Sequence, residues 1–251
     1  MPSPNHIQAV LFDLDGTLRH NRPDGFESFV EYLEELGHSL SLAQLQHGER
    51  WTHYYWSVSP ELWSDLEEFG GETNAFWRRH AERQLRALGI PGNLAELAEQ
   101  ISQRFDERYQ PDNHIPDDVV PTLRRLRSLG YTLGLVSNRT DPLDGLVLDL
   151  GLADLFHFTL SAGQAESRKP SAAIFLKAAA LAGCPPEATV YVGDNLYADV
   201  EGARAAGLRP VLIDPRGIFP EPGCPVIGAL SELERALDSL GTKSEAQASV
   251  S

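Results

Sequence analysis

Apolar positions change their spacing twice along the chain. Ile7, Ala9, Val10, Leu11 and Phe12 form a short apolar run stopped by Gly16, which predicts a buried strand over residues 7–14. From residue 21 to 113 the spacing becomes helical. Phe26, Phe29, Val30, Leu33 and Leu36 recur every three or four residues before Gly37, and Leu94, Leu97, Ala98, Ile101 and Phe105 repeat the pattern. No strand is predicted between Asn21 and Asn113.

Beyond Ile115 the pattern alternates. Predicted helices cover residues 119–129, 143–150, 170–181 and 198–206, and predicted strands cover 131–136, 156–160, 189–192 and 210–213. Such alternation implies an α/β fold with a parallel sheet covered on both faces. A lone N-terminal strand cannot bury itself, so the helical stretch reads as one insertion into a single βα pattern. The expected organisation is a core of residues 1–20 and 114–240, a helical domain of residues 21–113, and a small, polar, disordered tail at 241–251.

Composition narrows the picture. The 251 residues are 42% hydrophobic and 23% charged, enough to build a core without staples. The net charge of −15 disfavours nucleic acid and anionic membrane as partners, because phosphate surfaces reward clustered Lys and Arg. No apolar run is long enough to span a membrane, and the first residues lack a basic signal region, so the cytoplasm is expected. Cys184 and Cys224 show no metal or disulfide spacing and read as unpaired, mostly buried thiols. All four tryptophans (Trp51, Trp56, Trp63, Trp77) fall in the helical stretch. They read as its small core, with one or two facing a substrate pocket as the sharper alternative. Trp77-Arg78-Arg79-His80 reads as a solvated basic helix face.

The first strand ends in Asp13-Leu14-Asp15-Gly16-Thr17-Leu18. Carboxylates at i and i+2 leave a strand end on the same side, and ligands of a parallel sheet bind outside its carboxyl ends. Such a pair either chelates a hard cation or does acid–base work. An Asp beside Gly that merely builds a turn is the plain alternative.

This opening resembles the D-x-D-G-T motif of the haloacid dehalogenase-like hydrolase superfamily. Three further motifs of that superfamily fit in order. Ser137-Asn138 closes the strand Leu133 to Val136, Arg168-Lys169-Pro170 precedes a helix, and Gly193-Asp194 is followed by Asp199. Lys169 is one of only three lysines in the chain. The resemblance implies a doubly wound, Rossmann-like parallel sheet carrying an inserted, all-helical cap of the family's subgroup I.

It also implies roles. Asp13 would be the nucleophile, forming an aspartyl-phosphate, and Asp15 the general acid and then base. Mg2+ would be held by Asp13, the backbone carbonyl of Asp15, and Asp194. Thr17, Ser137, Asn138 and Lys169 would hold the transferring phosphoryl group. Asn195 and Asp199 would support the metal site, Asp199 by orienting a metal water or Lys169. On this reading Asp13, Asp15, Asp194 and Asp199 cluster with only Lys169 near them, and a cation relieves their repulsion. Arg19, His20 and Arg22 depart from the apolar residue and acid common at that place, and could meet the leaving group. Arg139 is placed near the site mouth.

The activity implied is a Mg2+-dependent phosphatase acting on a small phosphorylated metabolite. A 2-haloacid dehalogenase would use the same nucleophile without metal, but dehalogenases resembling this chain lack the carboxylate at Asp15. A phosphomutase differs only in the acceptor of the phosphoryl group. Phosphonate hydrolysis needs a lysine from the cap, and residues 21–113 contain none. A catalytically silent binding or regulatory protein should have lost one of Asp13, Asp15, Lys169 or Asp194, and all four are present.

Overall fold

A computed structural model describes residues 6–248. The chain begins with β1 (Ala9–Phe12) and β2 (His20–Arg22). Five helices follow: α1 (Gly25–Glu35), α2 (Leu42–Val58), α3 (Pro60–Phe69), α4 (Asn74–Ala87) and α5 (Leu94–Arg108). Then come β3 (Asp112–His114), α6 (Val119–Ser128), β4 (Thr132–Ser137), α7 (Asp144–Asp149), β5 (Phe158–Ser161) and α8 (Ala162–Ala165). The chain continues through α9 (Ala172–Ala182), β6 (Thr189–Gly193), α10 (Glu201–Ala205), β7 (Arg209–Ile213), β8 (Val226–Ile227) and α11 (Leu233–Ala248). It forms two compact units, residues 1–20 with 114–251 and residues 21–113.

The first unit is a six-stranded sheet in the order β5-β4-β1-β6-β7-β8, and every pairing is parallel. Helices lie on both faces. Val10, Phe12, Leu133, Leu135, Val190 and Val192 pack on one face with α6 and α11. Leu11, Val136 and Tyr191 alternate to the other face and meet Ile174 and Phe175 of α9 and Ala203 of α10. The parallel sheet covered on both faces, expected from the alternating pattern, is therefore present, in the doubly wound form that the resemblance implies. Central β1 has all four residues buried, which is why it reads as a continuous apolar run.

Register places the chemistry. Phe12 lies beside Leu135 of β4 and Val192 of β6. Asp13, Ser137 and Gly193-Asp194 consequently emerge at one sheet edge, at the carboxyl ends of three adjacent strands. The order of connections reverses at β1, the place where such sheets bind ligands.

The second unit is helical. Phe29 and Leu33 of α1, Ala81 and Leu85 of α4, and Leu97 and Ile101 of α5 form one core. Tyr55, Leu62 and Phe76 form a second, with Trp51 and Trp56 against them. Asp24, Ser41, Thr73 and Asn93 cap the helices that follow them, which is how the boundaries are set between similar helical stretches.

Several expectations need correction. Short β2 and β3 pair with each other at the margins of the stretch expected to be wholly helical. Their residues are polar and at most half-buried, so no apolar alternation marks them. Two-residue β8 is too short to show a period. The tail from 241, expected to be disordered, continues α11 as helix to Ala248, because Leu233, Ala236 and Leu237 anchor that helix on the core. Residues 249–251 lie outside the described residues. His80, expected on a solvated face, is buried. Cys184 and Cys224 are unpaired, as expected, but half-buried. Among the described residues no helix is long and apolar enough to cross a membrane.

Candidate active site

Lys169 lies at the centre of the constellation. Its ammonium donates to Asp13 Oδ1 at 2.6 Å, to Asp199 Oδ1 at 2.7 Å and to the Tyr191 hydroxyl at 3.1 Å. Lys169 is 3% exposed, so all of its charge must be met by these partners. Burial alone would lower its pKa, but Asp13 and Asp199 outweigh burial and hold it well above the ordinary lysine value. Burial pushes the Asp13 carboxyl up against the opposing pull of Lys169. Asp194 is also raised, by desolvation of its carboxyl and by the nearby charges of Asp13 and Asp199.

Each side chain is placed by local structure. Asn138 exchanges two hydrogen bonds with the backbone of Lys169. Its Oδ1 accepts from the Lys169 N–H at 2.7 Å and its Nδ2 donates to the Lys169 carbonyl at 3.1 Å. The loop after β4 is thereby tied to the segment before α9. Ser137 Oγ accepts from the Arg139 N–H at 3.3 Å. Asn195 Oδ1 caps the next turn by accepting from Tyr197 and Ala198, while its own N–H donates to Asp199 Oδ2 at 3.0 Å. That turn, Leu196–Val200, is π-helical, where a plain α-helix over 198–206 was expected.

Two glycines are dictated by Asp neighbours. Gly16 has φ +90°, and a Cβ there would run into the Asp194 carboxylate. A Cβ on Gly193 would meet the Asp199 carboxylate. Thr17, expected at the phosphoryl group, donates its hydroxyl to Asp194 Oδ1 at 3.2 Å.

Asp13, Asp194 and Asp199 each offer an oxygen within 4.8 Å of the others. Three carboxylates against one lysine leave an excess of negative charge in a largely buried site. An all-oxygen donor set of this kind fits a hard divalent cation.

Asp15 does not share that arrangement. The expected cluster of four acids around one lysine is instead three acids around Lys169, with Asp15 held apart by two arginines. Arg139 forks onto it, Nε to Oδ2 at 2.8 Å and Nη2 to Oδ1 at 2.9 Å, and Arg19 Nη1 adds a third bond to Oδ1 at 3.1 Å. The Asp15 side chain is partly exposed where Asp13 is buried, and the two arginines meet its charge.

Sequence reasoning did not assign Tyr191 to the site. Its position inside an apolar strand reads as core, and its ring does pack on Phe175 while its hydroxyl donates to the Val136 carbonyl at 3.1 Å. Arg139 was placed only near the mouth. Its spacing from Asp15, 124 positions away, carries no local signal.

The fold and site define a parallel α/β protein with an acidic site at its switch point, and residues 7–207 match the haloacid dehalogenase-like hydrolases. The chain belongs to that family. It is 30% identical over 217 residues to a glyceraldehyde 3-phosphate phosphatase of Methanopyrus kandleri, covering 82% of this chain and 84% of the relative. A solved HAD phosphatase from Thermococcus onnurineus shares the fold at a TM-score of 0.54 and 24% identity, over 92% of this chain and 98% of the other. A solved 2-haloacid dehalogenase from Pseudomonas syringae pv. Tomato aligns at a TM-score of 0.51 and 28% identity, over 93% of this chain and 99% of the other.

Proposed function

We propose that the chain is a Mg2+-dependent phosphatase of small phosphorylated metabolites that works through a phosphoryl-aspartate. The observation that carries this reading is the buried Asp13–Lys169–Asp199 chain beside Asp194, at the carboxyl ends of β1 and β6. The relative named a phosphatase supports the reaction class. The two unpaired cysteines fit the reducing cytoplasm as its location.

Asp13 attacks phosphorus with one carboxylate oxygen. As that P–O bond forms, the ester P–O bond breaks and Asp15 delivers a proton to the departing alcohol oxygen. Asp15, now ionised, accepts a proton from water as the water oxygen bonds to phosphorus and Asp13 is released. Lys169, Ser137 and the Asn138 N–H hold the phosphoryl oxygens, and Lys169 also steers Asp13. Asp13, Asp194 and the Asp15 backbone carbonyl would hold Mg2+. The cation, when bound, shields the dianionic ester from the carboxylates. Thr17 keeps Asp194 in place, and Asn195 does the same for Asp199.

The alternative with a specific observation behind it is dehalogenation, since one solved neighbour carries that name. The Asp13–Lys169 pair could serve it, but Asp15 has no task in such a displacement. A phosphomutase differs by its acceptor, and release of inorganic phosphate without added sugar bisphosphate separates the two. The deciding experiment is hydrolysis of an aryl phosphate by the purified chain. Activity should require Mg2+ and fall to background in Asp13→Asn. Full activity in that variant would overturn the covalent route, and release of halide from 2-haloacids would favour the alternative.

A further inference from the structure

Tyr191 touches Lys169, yet the proposed reaction gives it no task. It is fully buried in β6, its ring packed on Phe175 with the ring centroids 4.8 Å apart. A phenylalanine would fill that place with no polar atom to satisfy, whereas a buried hydroxyl costs stability unless it is hydrogen-bonded. Here its proton goes to the Val136 carbonyl at 3.1 Å, and its oxygen accepts from Lys169 Nζ at 3.1 Å. An ammonium donates and cannot accept, so the direction of the second bond is fixed. These bonds tie three strands together. Tyr191 stands on β6, reaches past β1 and fastens to the end of β4, one residue before Ser137. Asn138, just beyond, holds the Lys169 backbone with two hydrogen bonds. Lys169 is therefore tied to the end of β4 both at its backbone and at its ammonium.

We propose that Tyr191 is a positioning residue for Lys169, its hydroxyl setting the ammonium against the Asp13 oxygen and so aiming the nucleophile. This rests on the reading above in taking Asp13 as the nucleophile, and deepens it by adding a residue that touches neither substrate nor Asp13. A lysine side chain is a flexible four-carbon stem ending in three N–H groups. Asp13 Oδ1, Asp199 Oδ1 and Tyr191 Oη take one each. Two acceptors would leave the ammonium free to swing about the line joining them, and the third fixes it at one point. With its three N–H groups committed, Lys169 acts on the phosphoryl oxygens through its charge, held in place.

The test removes the hydroxyl and keeps the ring. Both kcat and KM for 4-nitrophenyl phosphate are measured with saturating Mg2+ in the full chain, in Tyr191→Phe and in Phe175→Leu, beside thermal melts of all three. Tyr191→Phe should lower kcat by about tenfold or more and leave KM within about threefold, because a small misplacement of the attacking group costs rate steeply. Phe175→Leu takes packing from the same ring and leaves the hydroxyl, so it should lower the melting temperature and keep kcat near wild type. Unchanged kcat in Tyr191→Phe, a loss confined to KM, or an equal loss of kcat in Phe175→Leu would overturn the proposal while leaving the phosphatase reading intact. If the chain instead releases halide from 2-haloacids, the phosphatase reading falls and the same comparison is made on that reaction, in which Asp13 is again the attacking group. A wild-type chain active on neither removes both. Tyr191→Met, which also lacks the hydroxyl and fills irregular space, carries the comparison if Tyr191→Phe does not fold.

Discussion

The Asp199 carboxylate accepts a hydrogen bond from the Lys169 ammonium on Oδ1 at 2.7 Å and one from the Asn195 N–H on Oδ2 at 3.0 Å. It therefore links the segment before α9 to the turn after β6, and it shares Lys169 with Asp13. Asp199→Ala should strip Lys169 of one of its two carboxylates and leave the Asn195 N–H without its acceptor. Because breaking a buried ion pair leaves an uncompensated group, the expected loss is about 3 kcal/mol of stability, read by urea denaturation. Activity should fall as well, since Lys169 is then free to close fully on Asp13. A variant with wild-type stability would show that Asp199 is not part of the framework.

Mg2+ should stabilise as well as activate. The oxygens of Asp13, Asp194 and Asp199 crowd within 4.8 Å, and a cation that binds only the folded chain raises its stability by mass action. At a hundredfold excess over its dissociation constant, the gain is about 2.7 kcal/mol. It should appear as a higher melting temperature that EDTA reverses. Asp194→Asn should blunt the shift, and a wild-type chain whose melting ignores Mg2+ would count against the site.

Gly16→Ala tests the close approach of the first loop to Asp194. The residue must hold φ +90° and would push its methyl group into the carboxylate. A non-glycine residue in that region costs about 1–3 kcal/mol. The larger effect should be on metal use, because Asp194 is displaced and Thr17 loses its acceptor. Titration of activity with Mg2+ should show a raised half-saturation point.

His80 gives the helical unit a pH dependence of its own. Its ring is enclosed by Tyr55 at 4.9 Å, Trp56 at 5.3 Å, Trp51 at 5.6 Å and Trp77 at 5.7 Å, and its Nε2 is buried without a hydrogen-bond partner. Burial lowers its pKa from 6.5 to about 4, with Asp65 opposing and Arg83 assisting. The folded chain keeps His80 neutral, while the unfolded chain takes up a proton below pH 6.5. Stability is therefore complete above pH 6.5 and declines as pH falls toward 4, by about 3 kcal/mol in all. All four tryptophans sit in this unit, so their fluorescence during urea unfolding reads it directly. His80→Phe should flatten the slope between pH 6.5 and 4 relative to wild type, and an unchanged slope would refute the assignment.

The sequence alone determined the alternating sheet core, the helical stretch after β1 and the four motif segments. Each of these rests on local physics: a buried central strand is apolar throughout, a helix is apolar every three or four residues, and a sharp turn beside carboxylates needs glycine. Lys169 stood out because lysine is so scarce in this chain. Partners far apart in the chain were decided only by tertiary structure. Arg139 reaches Asp15 across 124 positions, Lys169 reaches Asp13 across 156, and Thr17 reaches Asp194 across 177. Which acid meets which cation follows from strand order and register, which bring β1, β4 and β6 side by side. The same holds for His80. Its place in a basic stretch looked solvated, and only the packing of α2 against α4 puts it among aromatic rings. Charge and spacing along the chain name the groups that can do chemistry; the sheet decides which of them share a site.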